Sequence, residues 1–302
     1  MELQTIDQVI EIIRASARPR RLAVAAAADG HTLEAVVRAQ REGLVSPVLF
    51  GDGTEIEQLL RGLHANPADC RIVHAVSDTA AAELAVASVH RGETDLLMKG
   101  MIQTGDLMRA VIDKEKGLLR EGDTISLFTI SEMTHYHKLL VMTDSGIVRT
   151  PTLEQKAGIL KNAVKVLRAY SYEQPKAAAI CAVEVVNPKM PETVDAAKLA
   201  EMSLAGELGP CIVEGPLSMD IAMSAEVARY KGIDSAVAGN ADILLWPNVL
   251  SGNIAIKSMG FCGGIRKTVA FAVGAKVPIV MTSRGTDVEG KYYAILGAAA
   301  AS

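Results

Sequence analysis

Three short segments of this chain place a glycine, small polar residues and a cation directly after an apolar run. Lys99-Gly100-Met101-Ile102-Gln103-Thr104-Gly105-Asp106 follows DLLM, and Ser283-Arg284-Gly285-Thr286-Asp287 follows VPIVMT. Pro247-Asn248-Val249-Leu250-Ser251-Gly252-Asn253 follows DILLW, with Lys257 one helical turn further on. Each precedes a stretch with helical character, so each offers unpaired backbone N–H groups, a close backbone approach at glycine and a positive charge. That combination suits phosphate or another compact anion. Taken singly, any of them is also explained by the capping of an ordinary helix. Together they point to a ligand. Ser283-Arg284-Gly285 is the most informative because it sets a guanidinium immediately after a buried strand; the bland alternative is a structural arginine paired with a carboxylate.

Other chemistries lose support. The chain carries no G-x-x-x-x-G-K-[ST], no G-x-G-x-x-G after its first strand and no G-x-S-x-G, which removes the sequence signatures of P-loop phosphoryl transfer, the usual dinucleotide fold and α/β-hydrolase chemistry. His135-Tyr136-His137 offers two imidazoles but no evident third ligand, and reads as a surface turn; no metal site is expected. Cys70, Cys181, Cys211 and Cys262 are far apart in apolar surroundings, as expected of reduced core thiols.

The elements that must position these loops follow from patterning. Apolar runs (RLAVAAA, SPVLFG, RIVHAV, DLLMKG, TISLFTIS, KLLVMTD, KAAAICAVEV, GPCIVEGP, DILLWP, VPIVMTS) alternate with helical stretches, the signature of α/β architecture. Consecutive apolar residues in each run imply strands covered on both faces of a largely parallel sheet. TISLFTIS and KLLVMTD are too close for a crossover helix and form an antiparallel hairpin, so the sheets are mixed. In the helix after Thr150-Pro151-Thr152, Ile159, Leu160, Ala163, Val164, Val166 and Leu167 make one apolar stripe, with Gln155, Lys156, Lys161 and Lys165 facing away. Thr150-Pro151-Thr152 supplies a cap and a proline at its start.

With 302 residues and 49% hydrophobic composition the chain can bury a large interior. A net charge of −4 without basic runs gives no footprint for nucleic acid or an anionic membrane surface. The N-terminal stretch lacks an apolar core like that of a secretory signal, and no span is long enough to cross a bilayer, so a cytoplasmic location is expected.

At these loops, and over nearly its whole length, the chain resembles the phosphate acetyltransferase and phosphate butyryltransferase family. VAAAADGHTLEAVVRAQREGLVSPVLFGD, LLMKGMIQTGDLMRAVIDKEKGLLR, VMTDSGIVRTPTLEQKAGILKNAV, CAVEVVNPKMPETVDA, VEGPLSMDIAMS, ADILLWPNVLSGNIAIKSM and VPIVMTSRGTD look closer to the butyryltransferase branch. The resemblance implies two α/β domains with an interdomain cleft, related to isocitrate and isopropylmalate dehydrogenases. The first would take residues 1–127 plus 277–302 and the second 128–276. It also implies a homodimer or larger homo-oligomer, no permanently bound cofactor, and a coenzyme A thioester and inorganic phosphate as substrates.

Carried over residue by residue, the resemblance assigns catalysis and phosphate binding to Ser283 and Arg284. The acetyltransferase branch has an aspartate where this chain has Gly290, which leaves Asp287 and Glu289 as neighbouring carboxylates for the base acting on the thiol. Arg120 corresponds to an arginine before the middle hairpin. Asn253 and Lys257 match a shared G-N-x-x-x-K pattern, and Asp144 the acidic residue after the second hairpin strand. Lys99 and Thr104 complete the binding set. The same fold would also suit a non-catalytic acyl-CoA-binding paralogue or a metal-dependent dehydrogenase. The acyl chain, the physiological direction and the pathway partners are not legible.

Overall fold

The computed structural model describes residues 2–16, 18–283 and 285–302; Arg284 lies outside the described residues. The chain forms two compact units, residues 9–123 with 269–302, and residues 1–8 with 124–268.

In the first unit, β1 (Arg20–Ala25), β2 (Val45–Gly51), β3 (Arg71–His74) and β4 (Leu96–Lys99) alternate with α2 (Gly30–Arg41), α3 (Gly53–Gly62) and α4 (Asp78–His90). Helix α1 (Ile6–Arg14) precedes them, and α5 (Thr104–Val111) follows β4. The strand order β3-β2-β1-β4-β11 is parallel throughout, where β11 is Ile279–Val280. The chain therefore leaves β1 toward one side of the sheet for β2 and β3, and returns on the other side for β4. Such a reversal opens a crevice at the carboxyl ends of the strands that flank it. The final helix α11 (Val288–Ala300) packs against α2. Strands β1 and β4 are buried almost end to end, as expected for a sheet covered on both faces.

In the second unit, β5 (Ser126–Met133) and β6 (Leu140–Thr143) form the expected antiparallel hairpin, with Ile130 opposite Val141. Parallel strands β7 (Lys176–Ile180), β8 (Ile212–Leu217) and β9 (Ile243–Leu245) extend the sheet in the order β6-β9-β7-β8. Helices α6 (Leu153–Ala169), α7 (Pro191–Leu204), the short α8 (Met219–Met223) and α9 (Ala225–Tyr230), and α10 (Val249–Phe261) connect them.

Several expectations need correction. Strand β10 (Ile265–Val273) is absent from the apolar runs read in the sequence, because Arg266, Lys267 and Thr268 break up its first half. It carries the chain from the second unit to the first, so the division falls at 123/124 and 268/269 rather than at 127/128 and 276/277. Residues 1–8 lie with the second unit because their backbone is bonded there: Leu3 N donates to the Tyr172 hydroxyl (3.1 Å), and Leu139 N to Leu3 O (2.8 Å). Lys156 does not face away; it is buried and paired with Asp195 of α7 at 2.8 Å. Thr152 caps α6 in a reciprocal pair with Gln155, and Pro151 stands just before that cap. Cys262, directly beyond the last turn of α10, is exposed, while the other cysteines are buried; all are free thiols. No helix among the described residues is long and apolar enough to cross a membrane.

Candidate active site

Strand pairing in the first unit sets three loops side by side. Ala25 pairs with Lys99 across β1 and β4, and Met98 with Val280 across β4 and β11. The chain after each strand therefore leaves from the same edge, as residues 26–29, 100–103 and 281–283. The contact between the first two is close. Gly100 N donates to Ala25 O (2.9 Å) and Met101 N to Ala26 O (2.8 Å), and a Cβ on Gly100 would fall 2.1 Å from Ala26 O. Only glycine allows that approach.

Lys99 ends β4 and is only 4% exposed. Its ammonium donates to the carbonyls of Gly100 (3.3 Å) and Ile102 (3.0 Å), which gathers the loop around a positive charge. Thr104 opens α5, and the preceding Gln103 makes no side-chain cap; the helix start therefore retains donor capacity. Arg120 is exposed in the loop between α5 and β5, where its backbone N–H donates to Asp123.

After β11, Ser283 is exposed and its Oγ accepts from Gly285 N at 3.1 Å. Asp287 caps α11 by accepting from Gly290 N at 2.9 Å. Glu289 is held by Arg38 of α2 at 2.8 Å, and the guanidinium of Arg38 also stacks 3.8 Å over the Tyr292 ring. Asp287 and Glu289 both line a hollow shared with Glu34, Val37, Arg38 and Arg41 of α2. The two carboxylates thus have structural work beside α2. Gly290 itself has no room for a side chain, since a Cβ would meet Thr286 Cγ2 at 2.8 Å.

One group in this loop system escapes sequence reasoning. Lys291, on α11 one turn after its cap, is 4% exposed and lies beneath the loop, with Nζ 3.4 Å from Thr282 Oγ1. Burial lowers the pKa of its ammonium. In the sequence it sits in a helical stretch, where a lysine ordinarily reads as a solvated charge.

In the second unit, Asp144 and Asn253 come together. The 2% exposed Asp144 carboxylate accepts from the backbone N–H groups of Leu127, Gly146, Ile147 and Val148, at 2.6–3.2 Å. Asn253 Nδ2 donates to Ser145 O at 3.2 Å. Gly252 lets α10 sit against this turn, because a Cβ there would lie 2.6 Å from Trp246 Cδ1 and 3.0 Å from Asp144 O. The buried Trp246 indole N–H has no hydrogen-bond partner among the described residues. Lys257 is exposed one turn along α10. Asp144 and Asn253 therefore build the turn after β6.

The family described as Phosphate acetyl/butaryl transferase matches residues 69–299. A phosphate acetyltransferase of Thermotoga maritima is 41% identical over 290 residues, covering 96% of this chain and 97% of that protein. A phosphate butyryltransferase of Clostridium acetobutylicum is 39% identical over 297 residues, covering 98% of each. Among solved structures, a branched-chain phosphotransacylase from Enterococcus faecalis superposes with TM-score 0.79 at 28% identity, covering 93% of this chain and 98% of that one. A 4-hydroxythreonine-4-phosphate dehydrogenase from Klebsiella pneumoniae shares the fold alone, with TM-score 0.52 at 13% identity, over 94% of this chain and 100% of that one.

Proposed function

The chain belongs to the phosphate acetyl/butyryltransferase family, and from that premise we propose that it moves a short acyl group, acetyl to butyryl, between coenzyme A and inorganic phosphate. A phosphate oxygen attacks the thioester carbonyl carbon, the carbon–sulfur bond breaks, and the sulfur leaves as thiolate to take up a proton. The products are acyl phosphate and coenzyme A. Phosphate is already an anionic nucleophile at neutral pH, so the site has to position it and neutralise charge more than it has to supply a strong base.

The observation that best supports this reading is the convergence of the loops after β1, β4 and β11. It places the Lys99 ammonium, the uncapped start of α5 with Thr104, and the exposed Ser283 hydroxyl on one edge of a parallel sheet. In the proposal Arg284 holds phosphate, with Lys99 assisting, and Ser283 or a backbone N–H steadies the thioester oxygen. Asp144 and Asn253 act by shaping the turn after β6. Arg120 is free to meet an anionic portion of coenzyme A. In the reverse direction the thiol needs a base, and Asp287 is the better placed carboxylate, since Glu289 is tied to Arg38.

Assembly as a homodimer or larger is part of the same proposal. Leu250, Ile254 and Phe261 stand exposed on one side of α10, and a second copy covering them would remove that apolar strip from water.

Release of free thiol from acetyl-CoA and butyryl-CoA, with and without inorganic phosphate, tests the activity. Phosphate-dependent release that falls by about 10²-fold or more in Ser283→Ala and Arg284→Ala is expected. Release that ignores phosphate, or variants that turn over normally, would overturn the reaction or the residue assignment respectively.

A further inference from the structure

We propose that Lys291 is a positioning residue for phosphate: its ammonium, set beneath the loop after β11, supplies positive charge through the Thr282 hydroxyl to the anion held beside Ser283. The inference deepens the phosphate acyltransferase reading and rests on it.

Lys291 is buried, yet its Nζ makes one long contact, to Thr282 Oγ1 at 3.4 Å, and no carboxylate stands within 4.0 Å of it among the described residues. A buried ammonium so thinly partnered costs stability, and an apolar side chain of similar volume would pack there at least as well. The charge is therefore not explained by packing.

The neighbouring charges compensate it only at a distance. Asp29, the cap of α2, is the carboxylate that acts on Lys291, at longer range, and its Oδ2 also accepts from Thr32 N at 3.0 Å and from the Thr32 hydroxyl. Arg38 is paired with Glu289, and Glu42 accepts from the Tyr292 hydroxyl at 2.7 Å. From β4, Lys99 spends its ammonium on the carbonyls of Gly100 and Ile102. The direct contact of Lys291 is thus with Thr282, the residue before Ser283. In a helix the long side chain leans toward the N-terminus, which brings Nζ back to Thr282. Gly290, one residue earlier, leaves no side chain between the helix and Thr286.

A dianion at this loop would gain from a cation fixed behind it and shielded from water, because the interaction strengthens as the dielectric falls. The lysine touches the loop and not the reacting atoms, so its effect is on phosphate capture and alignment.

The experiment compares wild type, Lys291→Met, Lys291→Arg and Thr282→Val in steady-state kinetics, and in thermal unfolding with and without inorganic phosphate. Lys291→Met is expected to raise the KM for phosphate about 10- to 100-fold, the range of one charged hydrogen bond, with the KM for acyl-CoA unchanged. It should unfold at or above the wild-type temperature without phosphate, and lose the phosphate-dependent rise that wild type shows. Lys291→Arg should recover part of the KM, and Thr282→Val should raise it in the same direction. A Lys291→Met protein with wild-type KM for phosphate and a wild-type phosphate-dependent rise would overturn the inference; if that variant does not fold, the same two results in Thr282→Val would do so. Loss of the phosphate-dependent rise in a series where even wild type releases no thiol would uphold the lysine's role while removing the acyl-transfer reading.

Discussion

Close backbone approach decides more at individual positions than charge does. Gly100 is tied to the end of β1 by its N–H on Ala25 O, with Met101 N bonded to Ala26 O beside it, and would put a Cβ 2.1 Å from a carbonyl oxygen. Gly100→Ala must therefore push the loops after β1 and β4 apart, and should lower stability by about 1–3 kcal/mol and reduce phosphate-dependent thiol release. Urea unfolding together with the thiol assay checks both. A variant with unaltered midpoint and rate would show that the loop tolerates the displacement. Buried Lys138 makes the opposite kind of statement. Its side chain is fully inaccessible, 2.7 Å from Asp242 and 3.1 Å from Glu2, and it also donates to Asn240 O at 2.9 Å. Asp242→Asn would leave that ammonium with weakened compensation and should cost about 3–5 kcal/mol, measured as a shift in urea midpoint.

At the scale of elements, capping and pairing at strand and helix ends hold the loops in place. Thr152→Ala removes one half of the capping box that starts α6 and should cost about 1 kcal/mol, without changing the KM for either substrate. The start of β1 is bound to the residue before β4 by Arg21 and Asp95 at 2.6 Å. The hydrogen bond from Arg21 holds the Asp95 carboxyl below the usual carboxylate range. A depressed folded value means that the pair's stabilisation is complete above the unfolded carboxylate pKa of about 3.9 and is lost as pH falls through the folded value. Asp95→Asn should therefore flatten the acid limb of unfolding temperature against pH below about pH 4. The effect should stay within about 1 kcal/mol, because Arg21 is 43% exposed and solvent screens the pair. An unchanged acid limb would show that other carboxylates govern it.

At the scale of the whole molecule, each unit has its own strands and helices, and the chain crosses from one to the other in β10 and returns its last helix to the first. Residues 1–8 fasten to the second unit although α1 continues into the first. Light scattering on the purified protein should report a dimer or larger assembly. Replacing Leu250, Ile254 and Phe261 by Ser should shift it toward monomer, and an assembly unchanged by that variant would place the interface elsewhere.

The sequence by itself determined the α/β class, because runs apolar at consecutive positions suit only strands covered on both faces, as β1 and β4 are. It also marked the loops after β4, β9 and β11, since glycine, hydroxyl and amide residues have to follow a buried strand in the chain to lie at its end. The hairpin of β5 and β6 was legible from its short connection. Strand β10 was not, because its charged first half breaks the pattern. Only the tertiary structure decided which polar residues were already spoken for. It bound Glu289 to Arg38, folded the turn after β6 around Asp144, paired Lys156 with Asp195, and buried Lys291 under the loop after β11. A charge's partners come from segments far away in the chain, so spacing along the sequence carries no record of them, whereas periodicity and strand-end position are local and survive in the order of the residues.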